Sequence, residues 1–143
     1  MCWLMIALSP ILWISRWMSY LNGNALIMAR FMTFAGTQTG AQLDFASLLS
    51  TMAPPAITGR GVLGMFNYDA STILDSITVP TLIVGAASDR LTKPEASFTM
   101  NHKIPGSKLV ILAPAGHLGF VERHQEVNES VDNFLTSLSL GTL

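Results

Sequence analysis

Asp89 and His117 are the two side chains in this sequence whose types, flanks and spacing can carry chemistry together. Each follows an apolar run, Pro80 to Gly85 before the acid and Lys108 to Leu112 before the histidine, and they lie 28 residues apart. A carboxylate that accepts a hydrogen bond from one imidazole nitrogen fixes the tautomer and stabilises the imidazolium formed when the other nitrogen takes a proton. Such a pair serves as the base that activates a nucleophile. His102 ends a predicted helix, where a cationic side chain complements the helix dipole. His124 sits in the polar run ERHQE and reads as solvated. Asp89 keeps a second reading as an Asx-type loop residue or a partner for adjacent Arg90. Glu122, soon after His117, reads as a brace for that loop.

For the pair to meet, the surrounding elements must bring their loops to one place. The β-branched run from Pro80, left through Gly85, suits a buried parallel strand. Thr92, Pro94 and Glu95 give a helix start, with Pro94 in the first turn and a T-x-x-E capping box. Lys108 to Leu112 forms a second strand, and Ala113-Pro114-Ala115-Gly116 a tight turn that aims the imidazole. Two parallel strands joined by a helix make a βαβ unit, so both residues fall on one rim of the sheet.

The run Ile77, Val79, Pro80, Thr81, Leu82, Val84, Gly85 and Asp89, followed by Gly116-His117, resembles the last third of the α/β-hydrolases. The resemblance implies an α/β fold in which Asp89 is the acid and His117 the base of a Ser-Asp-His triad, of the serine hydrolase, esterase-lipase type. It implies hydrolysis of carboxylic esters, with lipid-like substrates such as monoacylglycerol within range. In that family a G-x-S-x-G elbow upstream carries the nucleophile. The nearest look-alike here is Gly36-Thr37-Gln38-Thr39-Gly40, with glutamine at its centre. An H-G-G-G-type oxyanion segment and the strands expected before Pro80 are likewise missing. The expectation is therefore a C-terminal fragment of an α/β-hydrolase fold: a helical cap segment and return to the sheet over 1–75, then a βαβ unit and a terminal helix over 76–143. Lacking the nucleophile, the chain alone is expected to be inactive.

Composition agrees with a piece that needs covering. Of 143 residues, 50% are hydrophobic and only 12% charged, against about 25% charged in an ordinary soluble domain. Mean hydropathy is +0.44. A net charge of −1 gives no electrostatic case for nucleic acid. The single Cys2 excludes an internal disulfide. Met1 to Ile14 has no basic leader region, and Pro10 and Ser15-Arg16 break it below the roughly 20 apolar residues of a membrane span. Trp3, Trp13 and Trp17 with neighbouring Leu, Ile and Met suit packing against a greasy partner or the membrane interface. A cytoplasmic or membrane-peripheral place is the expectation.

The rest reads as helices and loops. Ser15 to Thr33 is helical and broken at Asn22-Gly23-Asn24, 33–41 is a loop, Leu43 to Met52 a helix, and Ala56 to Phe66 a helix loosened by Gly59, Gly61 and Gly64. Glu126 to Leu138 forms a terminal amphipathic helix, and 141–143 a frayed end. Trp13, Trp17, Phe31, Phe34, Met65 and Phe66 are the candidate lining for a hydrophobic acyl or alkyl group, though a buried cap core has the same composition. The histidines lack metal-ligand spacing and no glycine-rich phosphate loop follows a strand, so no metal or organic cofactor is called for. The open strand edge calls for the missing N-terminal sheet or another chain. A non-catalytic remnant, or a module that binds lipid surfaces through the Trp-rich end, stays open beside the enzyme.

Overall fold

The structure is a computed structural model and describes residues 2–140; the frayed end expected at 141–143 and the side chain of Trp3 fall outside what is described. Contacts group the chain into two units. The first takes in the chain up to Arg30 and Thr39–Asp69; the second takes in Phe31–Gln38 and everything from Ala70 onward. The sequence draws one line at 75/76. In the structure the segment 31–38 leaves the helical stretch to join the sheet, and the sheet unit opens six residues earlier, at Ala70.

The first unit is helical, with α1 (Cys2–Ala7), α2 (Ser9–Leu21), α3 (Asn24–Met32, whose last turn crosses into the second unit), α4 (Gly40–Met52) and α5 (Pro55–Phe66). Its joints are made where helix ends leave backbone groups without an intrahelical partner. At the end of α4, Trp13 Nε1 donates to the Thr51 carbonyl at 3.0 Å and Arg16 Nη1 to the Ala53 carbonyl at 2.9 Å. At the start of α5, the Ala56 N–H donates to Ser9 Oγ at 3.0 Å. Thus α2 caps two other helices with side chains. Its opposite face bears Ile11, Ile14, Met18 and Leu21, spaced to fall on one stripe and all exposed. No helix among the described residues is long and apolar enough to cross a membrane.

Two local expectations differ here. The stretch read as a loop over 33–41 ends in a capping box: Thr39 Oγ1 accepts from the Gln42 N–H and Gln42 Oε1 from the Thr39 N–H, so α4 starts at Gly40. The three glycines do not break α5, which runs unbroken from Pro55 with Pro55 and Gly59 buried. Packing outweighs the roughly 1 kcal/mol that a glycine costs a helix relative to alanine.

The second unit is built on two parallel strands, β1 (Leu82–Ala86) and β2 (Lys108–Leu112), in register Leu82 to Lys108 through Ala86 to Leu112. Proline has no N–H to pair, and β1 begins two residues after Pro80; the ladder is entered by Lys108 N–H donating to the Thr81 carbonyl at 2.9 Å. A short 3-10 turn at Leu74–Ser76 precedes β1, and helix α6 (Pro94–Lys103) makes the crossover to β2. α6 presses so closely on the sheet that a β-carbon on Gly85 would stand 2.7 Å from Ser97 Oγ. A short α7 (Gly119–Glu122) and the long α8 (His124–Leu140) finish the unit, with α8 against β1. Ile83, Ile104, Leu112, Ala115 and Phe34 are its buried core. β2 lies on one side of β1; the other edge of β1 is unpaired among the described residues.

Leu112 is 3% exposed and Val84, in the middle of β1, 36%. Leu112→Ala should therefore cost about 2–5 kcal/mol through the cavity it leaves. Val84→Ala should cost about 1 kcal/mol or less. Urea midpoints of the two variants measure the contrast, and equal shifts would contradict this placement of the core.

Candidate functional site

The acid and the histidine are held by loops that continue the sheet past its last paired residues. Beyond β1, Ala87 N–H donates to the Leu112 carbonyl and Ser88 N–H to the Ala115 carbonyl, each at 2.9 Å. The loop after β1 is thereby stitched to the turn after β2. That turn contains a cis peptide between Ala113 and Pro114, and Ala115 in it is fully buried. Parallel pairing puts both loops at the same end of the sheet.

There His117 Nδ1 lies 3.0 Å from Asp89 Oδ2 and 3.2 Å from Oδ1. The carboxylate also accepts from the Leu91 N–H at 2.8 Å, the Thr92 N–H at 2.9 Å and the Thr92 hydroxyl at 2.6 Å. The Asx-type reading of Asp89 and the imidazole-pairing reading thus both hold, because one oxygen closes the loop while both reach the ring. Arg90 turns away, its Nη1 donating to the Phe31 carbonyl at 3.0 Å. The Thr92–Glu95 capping box does not form. α6 has Lys93 as its N-cap, without a side-chain bond, because the Thr92 hydroxyl is spent on Asp89. Sequence reasoning placed Thr92 in the wrong role; the signal for the right one is its position three residues after an acid that ends a strand.

Burial is the largest influence on the Asp89 carboxyl and pushes its pKa up. The Thr92 hydroxyl, His117 and the Thr92 and Leu91 N–H groups together overcome it and hold the pKa at about 2, below the ordinary 3.8. All of them bond the charged form. With an ionised acceptor opposite, Nδ1 carries the proton of a neutral imidazole. The hydrogen bonds of the ring run through Nδ1 among the described residues, which leaves Nε2 to exchange a proton. The His117 side chain is 34% exposed, that of Asp89 7%. Solvent can therefore reach the imidazole while the carboxylate that bonds it is covered.

A largely apolar cavity of about 440 Å³ adjoins the pair, walled by β1 (Val84, Ala86), α6 (Ser97, Met100), Phe120 and Val127, with Asp89, Thr92 and His117 in its lining. All of its lining belongs to the second unit. Of the six residues read as candidate lining, Phe34 is a core side chain, 6% exposed, because its segment packs under the His117 turn. Phe31 is exposed in the same unit and outside the cavity lining. Trp13, Trp17, Met65 and Phe66 belong to the first unit, where Trp13 bonds the end of α4 and Trp17 meets Tyr20 edge to face. His102 lies in the last turn of α6 and His124 at the start of α8.

The alpha/beta hydrolase fold family matches this chain over residues 18–124. A Mycobacterium tuberculosis protein assigned by name to the non-heme bromoperoxidases (BpoC) is 33% identical over 63 residues, 44% of this chain and 24% of that protein. A Neisseria meningitidis pimeloyl-[acyl-carrier protein] methyl ester esterase is 36% identical over 53 residues, 37% of this chain and 20% of its own length. Among solved structures, an esterase from Exiguobacterium antarcticum superposes with a TM-score of 0.71 at 21% identity, over 87% of this chain and 47% of that one. The chain thus spans about half the length of that structure, and its aligned stretches about a quarter or less of the curated relatives.

The depressed pKa of Asp89 fixes a sign. A folded-state value of about 2 against an ordinary 3.8 means the folded state binds the proton less readily than the unfolded chain. The contribution is complete above pH about 4 and is lost as pH falls toward 2, on the order of 2 kcal/mol in all. Comparing urea unfolding of the wild type and Asp89→Asn across pH 5 to 2 should show their difference shrinking through that window. A difference independent of pH would contradict it.

Proposed function

The chain belongs to the alpha/beta hydrolase fold family, and we propose that it supplies the acid and the base of a Ser-Asp-His triad for the hydrolysis of carboxylic esters. The observation that carries the reading is the Asp89–His117 pair itself, its Nδ1 held at 3.0 Å, its other nitrogen without a hydrogen bond among the described residues, and its ring in the lining of a largely apolar cavity. In the proposed reaction His117 Nε2 takes the proton of a serine hydroxyl as its oxygen attacks the acyl carbon. Asp89 stabilises the imidazolium that results. The same nitrogen then gives the proton to the departing alkoxide, leaving an acyl-serine, and a water activated by the freed base releases the acid. The serine and the oxyanion donors would come from polypeptide outside these 143 residues, and the chain alone would be inactive. Esters are favoured because the names of the Neisseria relative and the Exiguobacterium neighbour specify ester cleavage. The apolar walls favour a hydrophobic acyl or alkyl part, and monoacylglycerol is a substrate of that kind.

The same reading supplies a partner for the sheet. In a parallel ladder alternate residues of a strand bond each neighbour, so the edge of β1 left unpaired among the described residues is suited to a further strand. That strand would come from an N-terminal sheet or from another chain.

A second reading rests on the exposed stripe of α2, Ile11, Ile14, Met18 and Leu21, which suits a lipid surface. Flotation with phosphatidylcholine vesicles, abolished by Ile14→Ser with Met18→Ser, is the result expected of it; no binding by the wild type would remove it.

For the triad reading, the chain is co-expressed with a polypeptide carrying a hydrolase sheet and its G-x-S-x-G elbow, and p-nitrophenyl butyrate turnover is followed. Asp89→Asn should lower kcat by about 10⁴-fold and His117→Ala by about 10⁶-fold, as in other serine triads. Turnover unchanged by His117→Ala would sink the assignment.

A further inference from the structure

Glu122 occupies the last position of the four-residue α7, and its carboxylate gathers three donors from two segments far apart in sequence. Oε2 accepts from the Gly116 N–H at 2.7 Å; Oε1 accepts from the Ala35 N–H at 2.9 Å and the Thr37 hydroxyl at 3.2 Å. Beside these bonds the Leu118 N–H donates to the Thr33 carbonyl at 2.9 Å. The residues on both sides of His117 are therefore tied to one stretch, Phe31–Gln38, and the residue after Asp89 is tied to it as well through Arg90 and the Phe31 carbonyl. The fit is close: a β-carbon on Gly116 would stand 2.7 Å from the Phe34 and Thr33 backbone.

We propose that Glu122 is a positioning residue for His117, clasping the histidine turn to a strap formed by Phe31–Gln38 so that the imidazole is held on Asp89. A hydrogen bond weakens steeply once its angle or length departs from a narrow range. At 3.0 Å from Asp89, the ring has little room for a shift of the backbone that carries it. Bonds between backbone N–H groups and a carboxylate are stronger than neutral ones. The isosteric amide cannot reproduce them, since its NH2 group must face at least one of the two backbone N–H donors. The catalytic meaning of this clasp rests on the reading of His117 as the base; the clasp itself is tested without turnover.

The test uses the full chain with 15N-labelled histidine, following the proton on Nδ1 by NMR together with hydrogen exchange at the Gly116 and Ala35 amides. Asp89→Ala should abolish the hydrogen-bonded Nδ1–H resonance, which establishes that the signal reports the pair. Glu122→Ala should speed exchange at both amides by about 10- to 100-fold and broaden the Nδ1–H resonance beyond detection, with the helical circular dichroism retained. Glu122→Gln, which keeps the volume, should give a smaller acceleration and a weakened resonance. If Asp89→Ala abolishes the signal while Glu122→Gln accelerates exchange but leaves the signal untouched, the clasp braces the loop alone and this inference fails. If Asp89→Ala leaves the signal unchanged, the pairing that underlies the triad reading fails, and this inference with it. Should Glu122→Ala not fold, the Glu122→Gln result decides.

Discussion

Parallel pairing of two five-residue strands is the constraint on which the sheet unit depends. Strands that run the same way cannot be joined by a hairpin, so the chain must cross over, and both strands then release their loops at the same end. Register does the rest. With Ala86 opposite Leu112, the loop after one strand bonds the turn after the other, and an acid three residues past the first strand meets a histidine five residues past the second. A slip of one residue would turn every strand side chain to the other face, exposing Ile83 and Leu112 and separating the pair.

Much of this was legible because it is local. Two apolar β-branched runs, a proline at the helix start and a glycine before the histidine are signals within a few residues of what they specify. The reading failed where a side chain had a better partner out of reach of local pattern. Thr92 has the spacing of a helix cap, yet an ionised carboxylate is a stronger acceptor for its hydroxyl than a helix N–H is a donor to it. Phe34 sits in a Gly- and Thr-rich stretch with the composition of a surface loop. Its burial depends on a return to the sheet that periodicity cannot express. Thr39 and Gln42 carried a legible capping box that the loop-like composition around them obscured. The α5 glycines show the converse, a poor local propensity overridden by packing of a face that holds Gly59 buried.

The helical unit is organised by a different economy of backbone groups. Its joints lie at helix ends, where Trp13, Arg16 and Ser9 answer carbonyls and N–H groups that would otherwise be unbonded. Side chains committed in this way are fixed by hydrogen bonding as well as by packing. That accounts for Trp13 acting as a joint where composition alone marked it as a greasy contact. Ile11, Ile14, Met18 and Leu21, the most outward apolar residues of α2, take no part in these joints.

The bond between Ala35 and Glu122 spans 87 residues of sequence. Closing so long a loop costs little more than closing a shorter one, since the entropic penalty grows only with the logarithm of length. What it sets is an order in time. During synthesis the strap emerges before β1, β2 and the turn after them, and its bonds to the histidine turn wait until these have followed. The histidine turn thus receives its last support from a segment made 87 residues before the carboxylate that binds it, and ribosome-bound chains that end before Glu122 cannot contain the finished pair with its clasp.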